Sequence, residues 1–314
     1  MNLKSSIINR IKYFDRYSSI GEEREESITK NVSSLKKNGF LILDEYISGE
    51  NLKNLQSIYK NRLEEGLKFE TPCLAQSLID DLEHSELIEN YFRYNPNELV
   101  KYKITFDHKD FLDYKECLNK YRPSTLKTYL SDIQEFYSYW LDENLLKIIE
   151  SYMGIRPHMV EAYLRRNFPA KYKVMNHFWH RDSNHPEFLI KAFIFLSDCK
   201  LTNGPHEYVS GSIQDRSLDG KAYYTDQDVD SLYPDGSIQR IKSIVKAGTV
   251  ILEDTRGLHR ATIPKEGYRD LGFAVFLPLS KLQKQLKSMF WIDKNTYSSL
   301  SSYQKSFIPK QNIR

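Results

Sequence analysis

Residues 176–184 read NHFWHRDSN, and residues 253–273 read EDTRGLHRATIPKEGYRDLGF. The first stretch sets His180 and Asp182 two apart, a spacing that puts both side chains on one face of an extended strand. The second sets His259 just past the apolar run GTVILEDT (248–255) and Arg269 ten residues further, across a turn holding Pro264 and Gly267. Two imidazoles and one carboxylate can occupy one face of an iron(II) ion and leave the opposite face open. Ligands so distant in sequence meet only if their strands become neighbours, as they do in a jelly roll.

Arg269 calls for separate scrutiny. In a strand running from Arg269, alternation puts Arg269, Leu271, Phe273, Val275 and Leu277 on one face. That face is otherwise apolar, and a charge there is expensive unless paired. A bound carboxylate would supply the partner to a guanidinium fork. A protein carboxylate, or a strand end open to water, is the plainer alternative. With the metal pattern beside it, the reading favours 2-oxoglutarate as a dicarboxylate cosubstrate held at its far end by Arg269, and oxygen activation as the chemistry. Lys191 poses a similar question. In FLIKAFIFLS (188–197) it is the one charge in an apolar run. It is either an inward cation near the cosubstrate or a strand-end charge pairing with Asp198.

Around these motifs the second half of the chain consists of short apolar or alternating runs: MVEAYLRRNF (159–168), HEYVSGS (206–212) and LGFAVFLPL (271–279) among them. Turn residues at Pro169, Asn203-Gly204-Pro205, Pro234-Asp235-Gly236 and Gly248 separate them, the punctuation of a sandwich or barrel. Residues 217–243 are polar and read as a long loop over one mouth of the barrel. Tyr223, Tyr224 and Tyr233 within it are candidates to cover a substrate. Arg165 and Arg166 follow each other on a strand, so one faces inward. His177, Trp179, Arg181 and His185 flank the metal motif, and His206 and Tyr208 follow the Gly-Pro turn. Each reads more readily as structural than as a substrate contact. His84, His108 and His158 have no constellation around them.

The first half reads helical. A charged segment at 22–37 ends at Asn38-Gly39, FLILDEY (40–46) follows as a strand, and Ser48 caps a second helix. Helical texture returns at 74–92 and 131–153, and the sequence 154–157 closes that region. With no repeat and no clear linker, the expectation is one domain spanning 1–314: a helical scaffold over about 22–154, a β core over about 155–280, and a tail over 281–314 that begins helical.

The chain has 314 residues, 45 basic against 42 acidic, for a net charge of +3. That balance gives no case for nucleic acid as a partner. No stretch approaches the ~20 apolar residues that cross a bilayer, and the charged start lacks a secretion signal. Cys73, Cys117 and Cys199 are widely spaced and form no CxxC pair, so they read as reduced thiols in a cytoplasmic protein. Oligomeric state is unreadable.

The stretches NGFLILDEYISGENLKNL (38–55), HRDSNHPEFLIKAFIFLSDCKLTNGPHEYVSGS (180–212) and TVILEDTRGLHRATIPKEGYRDLGF (249–273) resemble the phytanoyl-CoA dioxygenase family of Fe(II)/2-oxoglutarate-dependent oxygenases. The resemblance runs over about 35–279. It implies an α+β protein with a double-stranded β-helix (jelly roll, cupin-like) core braced by N-terminal helices. It implies His180, Asp182 and His259 as iron ligands and Arg269 on the distal carboxylate of 2-oxoglutarate. Asp182 argues against halogenation, since halogenating relatives carry a small residue there. Leu271 stands where relatives often place a hydroxyl, and Phe193 where some place an aromatic wall. The family's Pro-Gly-Ser-His turn here reads Ser210-Gly211-Ser212-Ile213. The implied activity is a dioxygenase that hydroxylates a small metabolite or carrier-linked intermediate and releases succinate and CO2. A cupin-like metal-binding protein or isomerase without 2-oxoglutarate turnover is the alternative.

Overall fold

Alternating apolar residues in the second half build a six-stranded antiparallel sheet, seen in a computed structural model that describes residues 25–66, 69–70, 111–122, 124–129, 133–170, 173, 175–182, 189–278 and 290–314. The expected helix at 74–92, the helical start of the tail, Cys73, His84, His108 and His185 lie outside the described residues. The strands are β1 (Phe40–Leu43), β2 (Phe69–Glu70), β3 (Phe111–Leu112), β4 (Thr125–Tyr129), β5 (His158–Asn167), β6 (Ile190–Phe195), β7 (Glu207–Val209), β8 (Arg240–Lys242), β9 (Val250–Asp254), β10 (His259–Arg260) and β11 (Arg269–Leu277). The large sheet runs β1-β9-β6-β11-β5-β4, a second sheet runs β10-β7-β8, and β2 pairs with β3.

The long central strands of the large sheet are buried on both faces, which is why they read as near-continuous apolar runs. The outer face, with Ala162, Leu164, Ala192, Ile194, Val250, Leu252, Ala274 and Phe276, packs on helices. These are α1 (Glu26–Asn38), α2 (Gly49–Asn61), α3 (Tyr114–Tyr121), α4 (Tyr137–Trp140) and α5 (Glu143–Met153). Each fully buried Leu, Ile or Phe contributes roughly 1.5–3 kcal/mol to that layer. The Trp140 ring lies so close over β11 that a Cβ on Gly272 would stand 2.7 Å from it. The inner face carries Tyr163, Phe193, Phe195, Ile251, Leu271, Phe273, Val275 and Leu277. Tyr208 of the small sheet joins this cluster, its ring 5.4 Å from Phe40.

The first half is less purely helical than its composition suggests. The segment 131–153 breaks at Asp142, whose side chain caps α5 by accepting from Leu145 N. β4 adds an edge strand to the large sheet, and β1 pairs with β9. Helix α1 ends as expected, with Gly39 in the left-handed region at φ 74°. Ser48 does sit at the start of α2, but its side chain makes no capping hydrogen bond. The polar segment 217–243 holds structure of its own: α6 (Asp226–Asp230) and β8. The tail carries two short helices, α7 (Lys294–Ser299) and α8 (Ser302–Lys305). Cys117 and Cys199 are buried free thiols. Among the described residues, no helix is long and apolar enough to cross a membrane.

Candidate metal centre

His180 and His259 enter the site by the same local device. Each backbone N–H donates to the carbonyl of the other at 3.0 Å, so the two residues face one another as a small antiparallel bridge. Asp182 N donates to Thr255 O at 2.8 Å and extends that pairing. His180 Nε2 then lies 3.8 Å from Asp182 Oδ1, and His259 Nε2 lies 3.8 Å from Asp182 Oδ2. One ligand atom from each of the three residues falls within 4.8 Å of the others, close enough to hold one metal ion. Each Nδ1 sits beside a backbone carbonyl: Phe178 O at 2.8 Å for His180 and Gly257 O at 2.9 Å for His259. A proton held there leaves both Nε2 lone pairs for a metal. Burial pushes His259 down to about 3 and lowers His180, so both imidazoles are neutral and ligand-ready at physiological pH. Burial alone would raise Asp182, but His259 and Lys191 beside it hold its carboxyl well below the usual range.

Lys191 faces inward from β6, and its ammonium forms an ion pair with Asp182. The strand-end alternative is overturned, since Asp198 takes Lys246 instead, at 3.1 Å. Arg269 lies on the same inward face, on β11, and is 1 % exposed. Its Nη2 donates to Asn167 Oδ1 at 3.4 Å, while Nε and Nη1 have no partner. No carboxylate among the described residues pairs with it. Burial, then the neighbouring charge of Arg165, pushes it down to about 10. The inner wall therefore holds a buried cation with no carboxylate partner among the described residues, close to a donor set that fits a metal ion.

The alternation on β5 turns Arg165 inward and Arg166 outward. Arg166 forks onto Asp270 at 2.8 and 2.7 Å and donates to Tyr114 OH at 2.8 Å, tying α3 to the sheet. Several other flanking residues prove structural. Arg181 donates to four backbone carbonyls, those of Ser212, Asp215, Leu218 and Arg256, and so laces the loops together. Trp179 is buried between Arg240 and Arg260, with Tyr224 and Tyr233 in the same cluster. Tyr223 differs: its ring lies 6.2 Å from the His180 imidazole and lines a cavity of about 650 Å³ with Lys173, His177, Phe178 and Lys221. Phe193 is part of the inner wall, 5.5 Å from Phe273.

Two residues behind the ligands were not assigned from the sequence. The His206 ring lies 5.6 Å from that of His259 and 5.3 Å from that of Phe193. Its Nε2 stands 2.8 Å from Glu253 Oε2, and Glu253 Oε1 stands 3.9 Å from His259 Nδ1. Burial pushes Glu253 up to about 7 and His206 far down. Glu253 shares its inward face with Ile251, and a carboxylate alternating into an apolar face was the available signal.

No protein-family model matches this sequence. No curated protein matches it either. Among solved structures, the non-heme alpha ketoglutarate dependent carbocyclase SnoK from nogalamycin biosynthesis superposes with a TM-score of 0.50 at 15 % identity, over 82 % of this chain and 85 % of that one. EctD from S. alaskensis, in its apoform, superposes with a TM-score of 0.51 at 13 % identity, over 86 % and 83 %. The chain shares their fold.

Proposed function

We propose that this protein is an Fe(II)- and 2-oxoglutarate-dependent dioxygenase of the phytanoyl-CoA dioxygenase family, built on a double-stranded β-helix. We assign it the hydroxylation of a small metabolite or carrier-linked intermediate. The observation that carries the reading is the buried guanidinium of Arg269, with no carboxylate partner among the described residues, on the same inward sheet face as Lys191, which pairs with Asp182 of a two-histidine, one-carboxylate cluster. A metal-binding protein or isomerase has no need of that arginine.

His180, Asp182 and His259 would hold the iron, and three ligands on one face leave room for cosubstrate and oxygen. Arg269, whose guanidinium makes one long hydrogen bond among the described residues, would grip the distal carboxylate of 2-oxoglutarate. Lys191, inward and beside Asp182, is the second cation assigned to the cosubstrate. When bound, iron with 2-oxoglutarate supplies the oxidising power that a side chain lacks. The chain's own part is to orient and to exclude water: Phe193, Phe273 and Leu271 line the wall, and Tyr223 stands over His180.

The test is succinate formation by purified protein with iron(II), ascorbate and 2-oxoglutarate under air. The reading requires succinate above a metal-free control and a large loss in Arg269→Gln. Iron-loaded protein that makes no succinate, with or without candidate substrates, would return the chain to the metal-binding alternative.

A further inference from the structure

Beyond Arg269 and Lys191, the inner wall carries a third cation, one not assigned to the cosubstrate. Arg165 is 9 % exposed and faces Leu271 across the β5–β11 ladder. It leans over Phe273, its guanidinium carbon 5.9 Å from the ring centroid. Its Nε has no hydrogen-bond partner, and among the described residues it makes no ion pair. The carboxylates on the two strands do not serve it. Asp270 is taken by Arg166 on the opposite face, and Glu161 lies two same-face positions away with Tyr163 between. On β4, Lys127 stands opposite Arg165 in register, its ammonium 4.5 Å from the Tyr163 ring centroid. Lys127 is exposed, Arg165 nearly buried and Arg269 fully buried, so a line of three cations runs from solvent into the wall.

The distal carboxylate of one dicarboxylate carries a single negative charge, which Arg269 already matches, so Arg165 is left without a counter-charge of its own. A terminal carboxylate has two oxygens, and a single guanidinium fork takes both. Arg269, fully buried and with one long hydrogen bond from Nη2 to Asn167 among the described residues, is the deeper of the two and is left to that carboxylate. Burying a second uncompensated charge beside it is costly. An anion arriving with another molecule removes that cost.

We infer that Arg165 is the docking residue for a compact oxyanion, carboxylate or phosphate, on the organic substrate, with Lys127 guiding that anion in from solvent. This rests on the cosubstrate reading above, because it leaves Arg269 to 2-oxoglutarate. The substrate is then an acid or a phosphate ester, anchored by its charge on the β4–β5 side, with its reacting carbon toward the metal ligands.

The experiment uses protein loaded with zinc(II), which supports no turnover, and saturated with 2-oxoglutarate. Arginine Nε–H resonances are followed while inorganic phosphate or acetate is added, and Arg165 is assigned by the signal lost in Arg165→Gln. The expected result is a saturable shift of the Arg165 resonance, with binding tenfold or more weaker in the variant. A response to phosphate alone points to a phosphate ester, to acetate alone to a carboxylic acid, and to both to the shared oxyanion chemistry. No response to either anion overturns the inference. So does an Arg165→Gln loss of 2-oxoglutarate affinity as large as that of Arg269→Gln, an outcome that leaves the cosubstrate reading standing. Should Arg269→Gln leave 2-oxoglutarate affinity unchanged, the cosubstrate reading fails, and the anion titration still judges Arg165 by itself.

Discussion

Arg269 Nη2 and Asn167 Oδ1 stand 3.4 Å apart, and this long contact is the sole hydrogen bond of the Arg269 guanidinium among the described residues. A buried charge so poorly compensated destabilises the ligand-free fold. Arg269→Met is therefore expected to melt a few degrees above the wild type without ligand. 2-Oxoglutarate with zinc(II) should raise the melting temperature of the wild type and leave the variant unmoved. Thermal unfolding with and without the dicarboxylate checks both, and a variant that melts well below the wild type would show that Arg269 already has its counter-charge.

The pairing of Lys191 with Asp182 sets a cation against a cation site. Removing that charge frees the carboxylate and relieves repulsion. Lys191→Met should bind nickel(II) about tenfold more tightly, close to 1.4 kcal/mol, and bind 2-oxoglutarate more weakly. Calorimetry on the metal-free protein measures the first. Weaker metal binding would mean that Lys191 serves to steady Asp182.

Acid should unfold the metal-free protein early. Burial pushes His177 and His259 down to about 3 and holds His206 well below its ordinary value, whereas the unfolded chain protonates near 6.5. Between those values the unfolded state binds more protons, so stability is complete above about pH 7 and falls as pH drops from 6.5 towards 3. Each histidine contributes at most roughly 1 to 1.5 kcal/mol per pH unit. Denaturant melts at pH 7.5 and pH 5 would expose a flat profile, which this account forbids.

Asp270 accepts both arms of the Arg166 fork, and both residues are buried. Asp270→Ala leaves Arg166 uncompensated and should cost about 3–5 kcal/mol, the usual penalty for breaking a buried pair. Chemical denaturation decides it. A loss below 1 kcal/mol would show that Tyr114 and the Tyr268 ring, 4.0 Å from the guanidinium, suffice for Arg166.

Gly257 accepts from His259 through its carbonyl, and a Cβ there would stand 1.9 Å from Tyr208 OH. Gly257→Ala should displace the turn that delivers His259 and weaken metal binding tenfold or more, the range seen when a ligand's hydrogen-bond support is lost. Unchanged nickel(II) affinity would show that Tyr208 yields without moving the turn.

Much of the site was legible because a strand's side chains alternate with fixed period. That rule placed His180 with Asp182, turned Arg165 inward against Arg166, and set Arg269 on the apolar face of β11. Pairing between distant strands follows no such local rule. The sequence therefore left the Lys191 partner open between two choices, the cosubstrate and Asp198, and did not foresee Asp182. The edge strand β4, with its exposed lysine, carries little apolar signal. Glu253 became notable only once β9 brought it against His206, a histidine the sequence had read as structural, behind His259. The segment 217–243 was polar enough to pass as loop, yet it buries Tyr224, Val229 and Tyr233.

The ladder between β5 and β11 keeps two kinds of arginine on opposite sides: Arg166, matched by Asp270, and Arg165 with Arg269, neither paired with a carboxylate among the described residues. A slip of one residue would exchange the faces. A slip of β5 would turn Arg166 inward, away from Asp270 on β11, and would drive Arg165 under the helices. Electrostatics thus proofreads the alignment of these strands, and the same check that rejects a misaligned fold keeps the hungry charges aimed at whatever enters.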